Sequence, residues 1–209
     1  MSSGKISRVA VPLDLDDPTA VALAIFRALS ARGIETALYG GLALAAYGEP
    51  RETRDADFAV ANLGGPAAVD AVAAIGLRPI LALDHARFGG LLITRITLAE
   101  GGGRTGLNVL DLVEPRSARF ATAALERAVT GSLRGNVIRV LSPEDFVLFK
   151  VLSTRERDLE DAIAVHRSQD LDLDRSFIEG EAAQLAVEIP DHDVTTRLAR
   201  VRLRLLQGP

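Results

Sequence analysis

Three acidic residues stand in stretches that the sequence predicts to be β-strands. Asp55 and Asp57 are separated by one residue, and because side chains alternate along a strand, both carboxylates face the same side. Two neighbouring carboxylates repel each other unless a cation lies between them, and Mg²⁺ prefers such oxygen ligands. The spacing therefore predicts a metal site at Asp55 and Asp57, with Mn²⁺ as an alternative ion.

The third acid, Asp111, lies inside the apolar segment 108–113. An acid in such a strand is costly to bury without a partner. If its strand lies beside that of Asp57, three carboxylates converge and form a two-metal site for phosphoryl transfer. The alternative is that Asp111 is a buried acid paired with one of the many arginines.

A glycine pair, Gly40 and Gly41, separates a predicted strand at 35–39 from a predicted helix at 42–47. Glycine lets the backbone approach a phosphate closely, and the start of a helix offers free N–H groups. The pair therefore predicts a phosphate cradle. Arg51 and Arg54, which follow it, either bind phosphate or balance the charge of the acids.

Lysine is rare in this chain: of 24 basic residues, only Lys5 and Lys150 are lysines. Ser142 and Pro143 predict the start of a helix, and Lys150 falls near its end. A compact ammonium on a flexible stem suits a triphosphate oxygen. The alternative is an ordinary lysine that interacts with the carboxyl end of the helix dipole.

Two further acids, Asp158 and Asp161, share one face of the next predicted helix, at 157–166. They either orient Lys150 or Arg155, or bind the acceptor of the transferred group. The alternative is that Asp161 forms an exposed ion pair with Arg157, four residues before it.

Together these motifs resemble the AbiEii-like bacterial nucleotidyltransferases, which include the MenT-like toxins and belong to the superfamily typified by DNA polymerase β. The likeness spans residues 36–165 and rests on Gly40-Gly41, Arg51-x-Thr53-x-Asp55-x-Asp57, the strand around Asp111, and the segment from Ser142 through Lys150, Arg155, Arg157 and Asp158 to Asp161. The tail after residue 170 matches no motif of the family.

The resemblance implies an enzyme that transfers a nucleoside monophosphate from an NTP to an acceptor hydroxyl and releases pyrophosphate. Two Mg²⁺ ions would be bound by Asp55, Asp57 and Asp111, with Asp111 also acting as the general base. The residues implied to bind the nucleotide are Gly40, Gly41, Arg51, Thr53 and Lys150. Arg155, Asp158 and Asp161 would support them.

The same resemblance implies that the acceptor is the 3′ end of tRNA and that the protein is a toxin with a cognate antitoxin. Two other interpretations stay open. The first is a nucleotidyltransferase that modifies a small molecule such as an aminoglycoside, or AMPylates a protein. The second is a nucleotide-binding protein without catalysis. The fold alone does not separate these functions.

Composition narrows the class of protein further. The 209 residues are 48% hydrophobic and 25% charged, which is typical of a globular chain and not of a disordered one. The absence of cysteine excludes disulfide scaffolds, iron–sulfur clusters, zinc ribbons and thiol catalysis. With no apolar run long enough to span a bilayer, we expect a cytoplasmic protein that makes no membrane contact.

The order of elements predicts an α+β fold: a mixed, polymerase-β-like sheet flanked by helices, with a helical C-terminal part. We expect a nucleotidyltransferase core at 1–141 and a helical subdomain at 142–209. Strands at 91–98 and 107–113 are expected to form a hairpin around the glycines at 101–103. The remaining predicted strands lie at 55–60 and 136–141, and the remaining helices at 18–32, 67–75, 116–129, 143–153, 173–186 and 193–206.

Overall fold

A computed structural model describes residues 13–99, 106–168 and 172–207. The strands are β1 (Ala37–Tyr39), β2 (Ala56–Ala59), β3 (Arg78–Phe88), β4 (Leu91–Ala99), β5 (Leu107–Pro115), β6 (Val129–Leu133) and β7 (Asn136–Val140). The helices are α1 (Pro18–Ser30), α2 (Gly40–Ala46), α3 (Gly65–Ala73), α4 (Ala118–Glu126), α5 (Pro143–Leu152), α6 (Glu156–Arg167), α7 (Arg175–Glu188) and α8 (Val194–Leu206).

The strands form one mixed sheet in the order β3-β4-β5-β2-β1-β7-β6. Two neighbouring pairs are parallel, β2 with β5 and β1 with β7, and the other pairs are antiparallel. The predicted α+β class with a mixed sheet is confirmed. The antiparallel pairing of β4 with β5 is confirmed as well, whereas the glycine turn at 101–103 lies outside the described residues.

Both edge strands, β3 and β6, were absent from the sequence prediction. Most side chains of β3 are exposed, and its pairing with β4 is interrupted by register shifts around Leu83. An edge strand of this kind lacks the apolar–polar alternation that identifies a half-buried strand. β6 begins at Val129, where the helical pattern of the preceding segment was expected to end, and it contains Gly131.

The predicted helix starts at Asp17 and Ser142 are present. The Asp17 carboxylate accepts hydrogen bonds from the backbone N–H groups of Thr19 and Ala20. The Ser142 hydroxyl accepts one from the backbone N–H of Asp145, and proline occupies the first position of both α1 and α5. The Ser142 cap fixes where α5 begins and therefore which residues of α5 face the sheet.

Helices α5 to α8 follow the sheet in sequence, and α5 packs on β1. The rings of Phe146 and Phe149 each lie 5.4 Å from the ring of Tyr39, measured between centroids. One hydrophobic core includes side chains from both the sheet and the C-terminal helices. The division into a core at 1–141 and a helical subdomain at 142–209 stays a prediction. No described helix has the length and apolar character needed to cross a bilayer.

The arginines of α8 attach this last helix to its neighbours. Arg197 donates hydrogen bonds to the backbone carbonyls of Val151 and Arg155, and Arg200 and Arg204 both pair with Glu156 on α6. The face that these arginines form on α8 is therefore a docking face within the chain.

Candidate active site

A row of side chains crosses four adjacent strands near the middle of the sheet. Asp57 on β2 lies directly beside Tyr39 on β1 and Asp111 on β5, and Asp111 lies beside Arg95 on β4. Neighbouring residues in register project to the same face, so two carboxylates stand side by side between a tyrosine and an arginine. The structure thus brings Asp57 and Asp111 together.

Asp57 is an incompletely neutralised carboxylate. Burial, together with the negative charges of Asp111 and Asp55, raises the pKa of this group to about 7 against the opposing effects of Lys150 and Arg155. Gly40 lies against it: a Cβ at this position would stand 2.0 Å from Asp57 Oδ2. Gly40 also has a positive φ of 65°, so both its backbone and its contact with Asp57 require glycine.

Asp111 is held by Arg95, a residue that the sequence prediction did not include. The guanidinium donates two hydrogen bonds to the carboxylate, from Nε to Oδ1 at 2.7 Å and from a terminal nitrogen to Oδ2 at 2.6 Å. Asp111 is 4% exposed. The alternative of a buried acid paired with an arginine therefore describes the contacts of Asp111 in this structure. The available signal was an arginine in the middle of the apolar strand β4.

Gly41 faces the loop that leads into β2. A Cβ on Gly41 would stand 2.7 Å from Thr53 Cβ and 3.2 Å from a guanidinium nitrogen of Arg51. Arg51 itself binds Asp161 through two hydrogen bonds of 3.0 and 3.1 Å. The glycine turn, Thr53 and Arg51 are thus in close contact, and the Arg51 charge is shared with Asp161.

Asp55 lies in a bend just before β2 and not within the strand. It lines an open cavity of ≈360 Å³ whose other lining residues are Arg51, Glu52, Thr53, Arg54 and Arg157. The lining holds three arginines and two carboxylates, so its net charge is positive and suits an anionic ligand.

Lys150 is buried in a cage of carboxylates and rings. Its Nζ lies 2.7 Å from Asp158 Oδ1 and 2.8 Å from Asp161 Oδ2. The same atom stands 4.7 Å from the ring centroid of Tyr39 and 5.2 Å from that of Phe146. Lys150 is 1% exposed. The two acids therefore orient this lysine, which was one of the predicted alternatives for them.

Asp158 also anchors Arg155. Arg155 Nε donates to Asp158 Oδ2 at 2.8 Å, and the Ser153 hydroxyl donates to the same oxygen. The Arg155 side chain is 61% exposed, and its charge lowers the pKa of Asp57. Arg157 does not pair with Asp161, whose carboxylate is bound by Lys150 and Arg51. Arg155 is thus a tethered but accessible cation near Asp57.

The carboxylates fit a divalent ion in part. Asp57 and Asp55 supply oxygen ligands, and the pKa of Asp57 is raised by its burial and by the negative charges of Asp111 and Asp55, which a bound cation would offset. Both oxygens of Asp111 are engaged by Arg95, so this third ligand becomes accessible only when Arg95 moves. Within the described part of the chain, no group of three acidic or histidine residues is arranged to hold a metal.

Of the comparisons with known proteins, only the one with solved structures gives matches, and these concern the fold of the chain. No protein-family model matches the chain, and no curated protein sequence matches it. Among solved structures, it is similar to an antigenic nucleotidyltransferase-like protein from Paracoccidioides brasiliensis. That likeness has 21% identity and a TM-score of 0.50, and it covers 90% of this chain and 95% of the other.

Two structures of ANT(2″)-Ia also match. One is its complex with adenylyl-2″-tobramycin, with 16% identity, a TM-score of 0.49, and coverage of 81% of this chain and 97% of that one. The other is the solution structure of this antibiotic-resistance factor, with 14% identity, a TM-score of 0.48, and coverage of 83% and 97%. At the level of overall fold, the chain is nucleotidyltransferase-like, in agreement with the predicted fold class.

Proposed function

We propose that this protein is a metal-dependent nucleotidyltransferase that transfers a nucleoside monophosphate from an NTP to an acceptor hydroxyl. The observation that carries the proposal is the register of β2 and β5, which sets Asp57 beside Asp111, with Gly40 so close to Asp57 that no side chain fits. Paired carboxylates next to a side-chain-free turn suit a metal–triphosphate complex. The nucleotidyltransferase-like fold supports this function.

In the proposed reaction, the acceptor oxygen attacks the α-phosphorus of the NTP and pyrophosphate leaves with the electrons of the broken P–O bond. Asp111 takes the hydroxyl proton on a carboxylate oxygen after Arg95 has released that oxygen. Mg²⁺ or Mn²⁺ bound by Asp55, Asp57 and Asp111 would supply charge neutralisation for the triphosphate and activation of the acceptor hydroxyl. Gly40 and Gly41 leave room for the phosphates to approach the backbone.

Cationic side chains share the neutralisation of the triphosphate in this proposal. Arg155 is exposed near Asp57, and Arg51 and Arg157 line the adjacent cavity. Lys150 contributes from within the fold, because its charge already lowers the pKa of Asp57 while its ammonium contacts Asp158 and Asp161. Thr53 supports the glycine turn through its contact with Gly41.

We propose an RNA acceptor, the 3′ end of tRNA, and a role as a toxin neutralised by a cognate antitoxin, as the AbiEii-like motifs imply. One feature of the surface favours RNA over a polycationic aminoglycoside. Arg54, Arg155 and Arg157 are all exposed beside the predicted site, and clustered arginines attract a polyanion and repel a polycation.

The test is transfer of label from each of the four α-labelled NTPs with Mg²⁺ to tRNA, to protein and to an aminoglycoside, in separate reactions. We expect labelled tRNA with wild type, no labelling with Asp57→Asn, and unchanged labelling with Asp70→Asn, an exposed acid on α3. Labelling of protein or drug instead would overturn the RNA acceptor. Labelling that persists in Asp57→Asn, or its absence from every acceptor with wild type, would overturn the nucleotidyltransferase.

A further inference from the structure

A second cavity lies among the C-terminal helices, away from the carboxylates. It has a volume of ≈460 Å³ and is lined by α6, α7 and α8, with no residue from the sheet. Ile178, Leu198 and Leu205 form an apolar wall. This volume is within the range of cavities that bind small organic molecules. The apolar wall alone selects for an apolar group.

His166 adds an unsatisfied polar group to this cavity. Both of its ring nitrogens are buried, and neither has a hydrogen-bond partner in the structure. Burial lowers the pKa of His166, and the charges of Arg175 and Arg202 lower it further, so the ring is neutral, with one N–H donor and one acceptor nitrogen. Buried polar groups in folded proteins nearly always have a partner. Because both nitrogens are shielded from solvent, the histidine can bond a polar ligand group only when its ring turns toward the cavity.

The charges around the cavity favour an anion. Arg202 forms an ion pair with Glu179, which leaves no net charge from these two residues. Arg175, the first residue of α7, lines the cavity and has no ion-pair partner within residues 13–99, 106–168 and 172–207. With His166 neutral, the charged residues described in the lining, Arg175, Glu179 and Arg202, sum to one positive charge, which matches a monoanion.

We propose that this cavity binds a small amphipathic monocarboxylic acid. The carboxylate accepts hydrogen bonds from the Arg175 guanidinium and, once the His166 ring has turned toward the cavity, from its N–H. The aliphatic or aromatic tail packs on Ile178, Leu198 and Leu205. This chemistry uses three features of the wall: a cation, a buried donor without a partner, and three apolar side chains. The site is separate from the proposed nucleotidyltransferase site and stands independently of it.

The chain contains only three histidines, His85, His166 and His192, so their ring C–H signals can be followed individually by NMR. Octanoate is the probe, and octylammonium, with the same tail and the opposite charge, is its matched control. We expect octanoate to shift the His166 signals saturably and to leave those of His85 and His192 in place. Octylammonium is expected to cause no such shift.

Two variants test whether Arg175 binds the carboxylate of octanoate. Arg175→Gln is expected to weaken octanoate binding by about tenfold or more, because a charge-assisted hydrogen bond is lost. Arg32→Gln, at an exposed arginine after α1, is expected to bind octanoate as wild type does. Unshifted His85 and His192 signals report that each variant is folded. The proposal is overturned if octanoate leaves His166 unshifted, if octylammonium binds equally well, or if Arg175→Gln retains wild-type affinity.

Discussion

Replacing Lys150 by methionine removes a buried ammonium while keeping an unbranched side chain of similar length. The ammonium contacts two buried carboxylates at 2.7 and 2.8 Å, and removal of one partner from a buried ion pair costs about 3–5 kcal/mol. The remaining partners reduce this cost, because Asp158 keeps Arg155 and Asp161 keeps Arg51. We therefore expect the free energy of unfolding to fall by about 3 kcal/mol, the lower end of that range.

The assay is urea unfolding at pH 7 followed by circular dichroism, with linear extrapolation to water. Arg200→Met is the control, because its ion pair with Glu156 is exposed and screened by solvent, so little change in stability is expected. A loss below about 1 kcal/mol in Lys150→Met would refute the reasoning, since it would mean that the carboxylates do not depend on this ammonium.

The pH dependence of stability gives a second readout of the same network. Burial alone would raise the pKa of Asp158, but the charge and hydrogen bond of Lys150, together with Ser153 and Arg155, lower it to about 2. A lowered carboxyl pKa contributes stability above the unfolded value of about 4, and that stability is lost as pH falls toward 2. Lys150→Met is expected to show a smaller loss of stability across this interval.

Three further predictions concern the surroundings of Asp57, and Gly76→Ala, elsewhere in the fold, is the control for the first of them. Gly76→Ala, at a positive φ with open space around it, is expected to cost about 1–2 kcal/mol in urea unfolding. Gly40→Ala should cost more and abolish nucleotide transfer, because its Cβ collides with Asp57; equal costs would contradict the collision. Arg95→Gln should tighten Mg²⁺ binding about tenfold in calorimetry by freeing Asp111, whereas unchanged affinity would show that Arg95 does not compete. Between pH 4 and 7 the folded protein keeps a proton on Asp57 that the unfolded chain releases, so the midpoint of urea unfolding should fall as pH rises. If the midpoint falls equally with pH in Asp57→Asn, another group causes the effect.

The local part of the candidate site could be predicted from the sequence. Asp57 follows the glycine pair by a short distance, and Gly40 could be assigned to a tight turn because of its residue type alone. Nothing local indicates that β5 lies beside β2, because these strands are far apart in sequence and their pairing is parallel. The convergence of Asp57 and Asp111 was therefore a conditional prediction until the topology was known.

The contact of Arg95 could not be predicted for a different reason, and that of Lys150 was predicted only as one of several alternatives. Each depends on partners from other elements: Arg95 reaches across a strand pair, and Lys150 reaches acids on the following helix. For Arg95, the sequence showed a single charged residue in an apolar strand but not which opposite charge would meet it. A single cation in an apolar strand and a single acid in another are both costly when buried, and that shared cost is the usable signal.

The row formed by Tyr39, Asp57, Asp111 and Arg95 has a consequence for folding. If β5 slipped by one residue against its neighbours, Asp111 would turn to the opposite face and Leu110 or Leu112 would take its place beside Asp57. The acid would then be buried without Arg95, and a leucine would stand against a carboxylate. The charged row thus disfavours misregistered sheets, so Asp111→Leu is expected to loosen strand alignment even where it adds apolar burial.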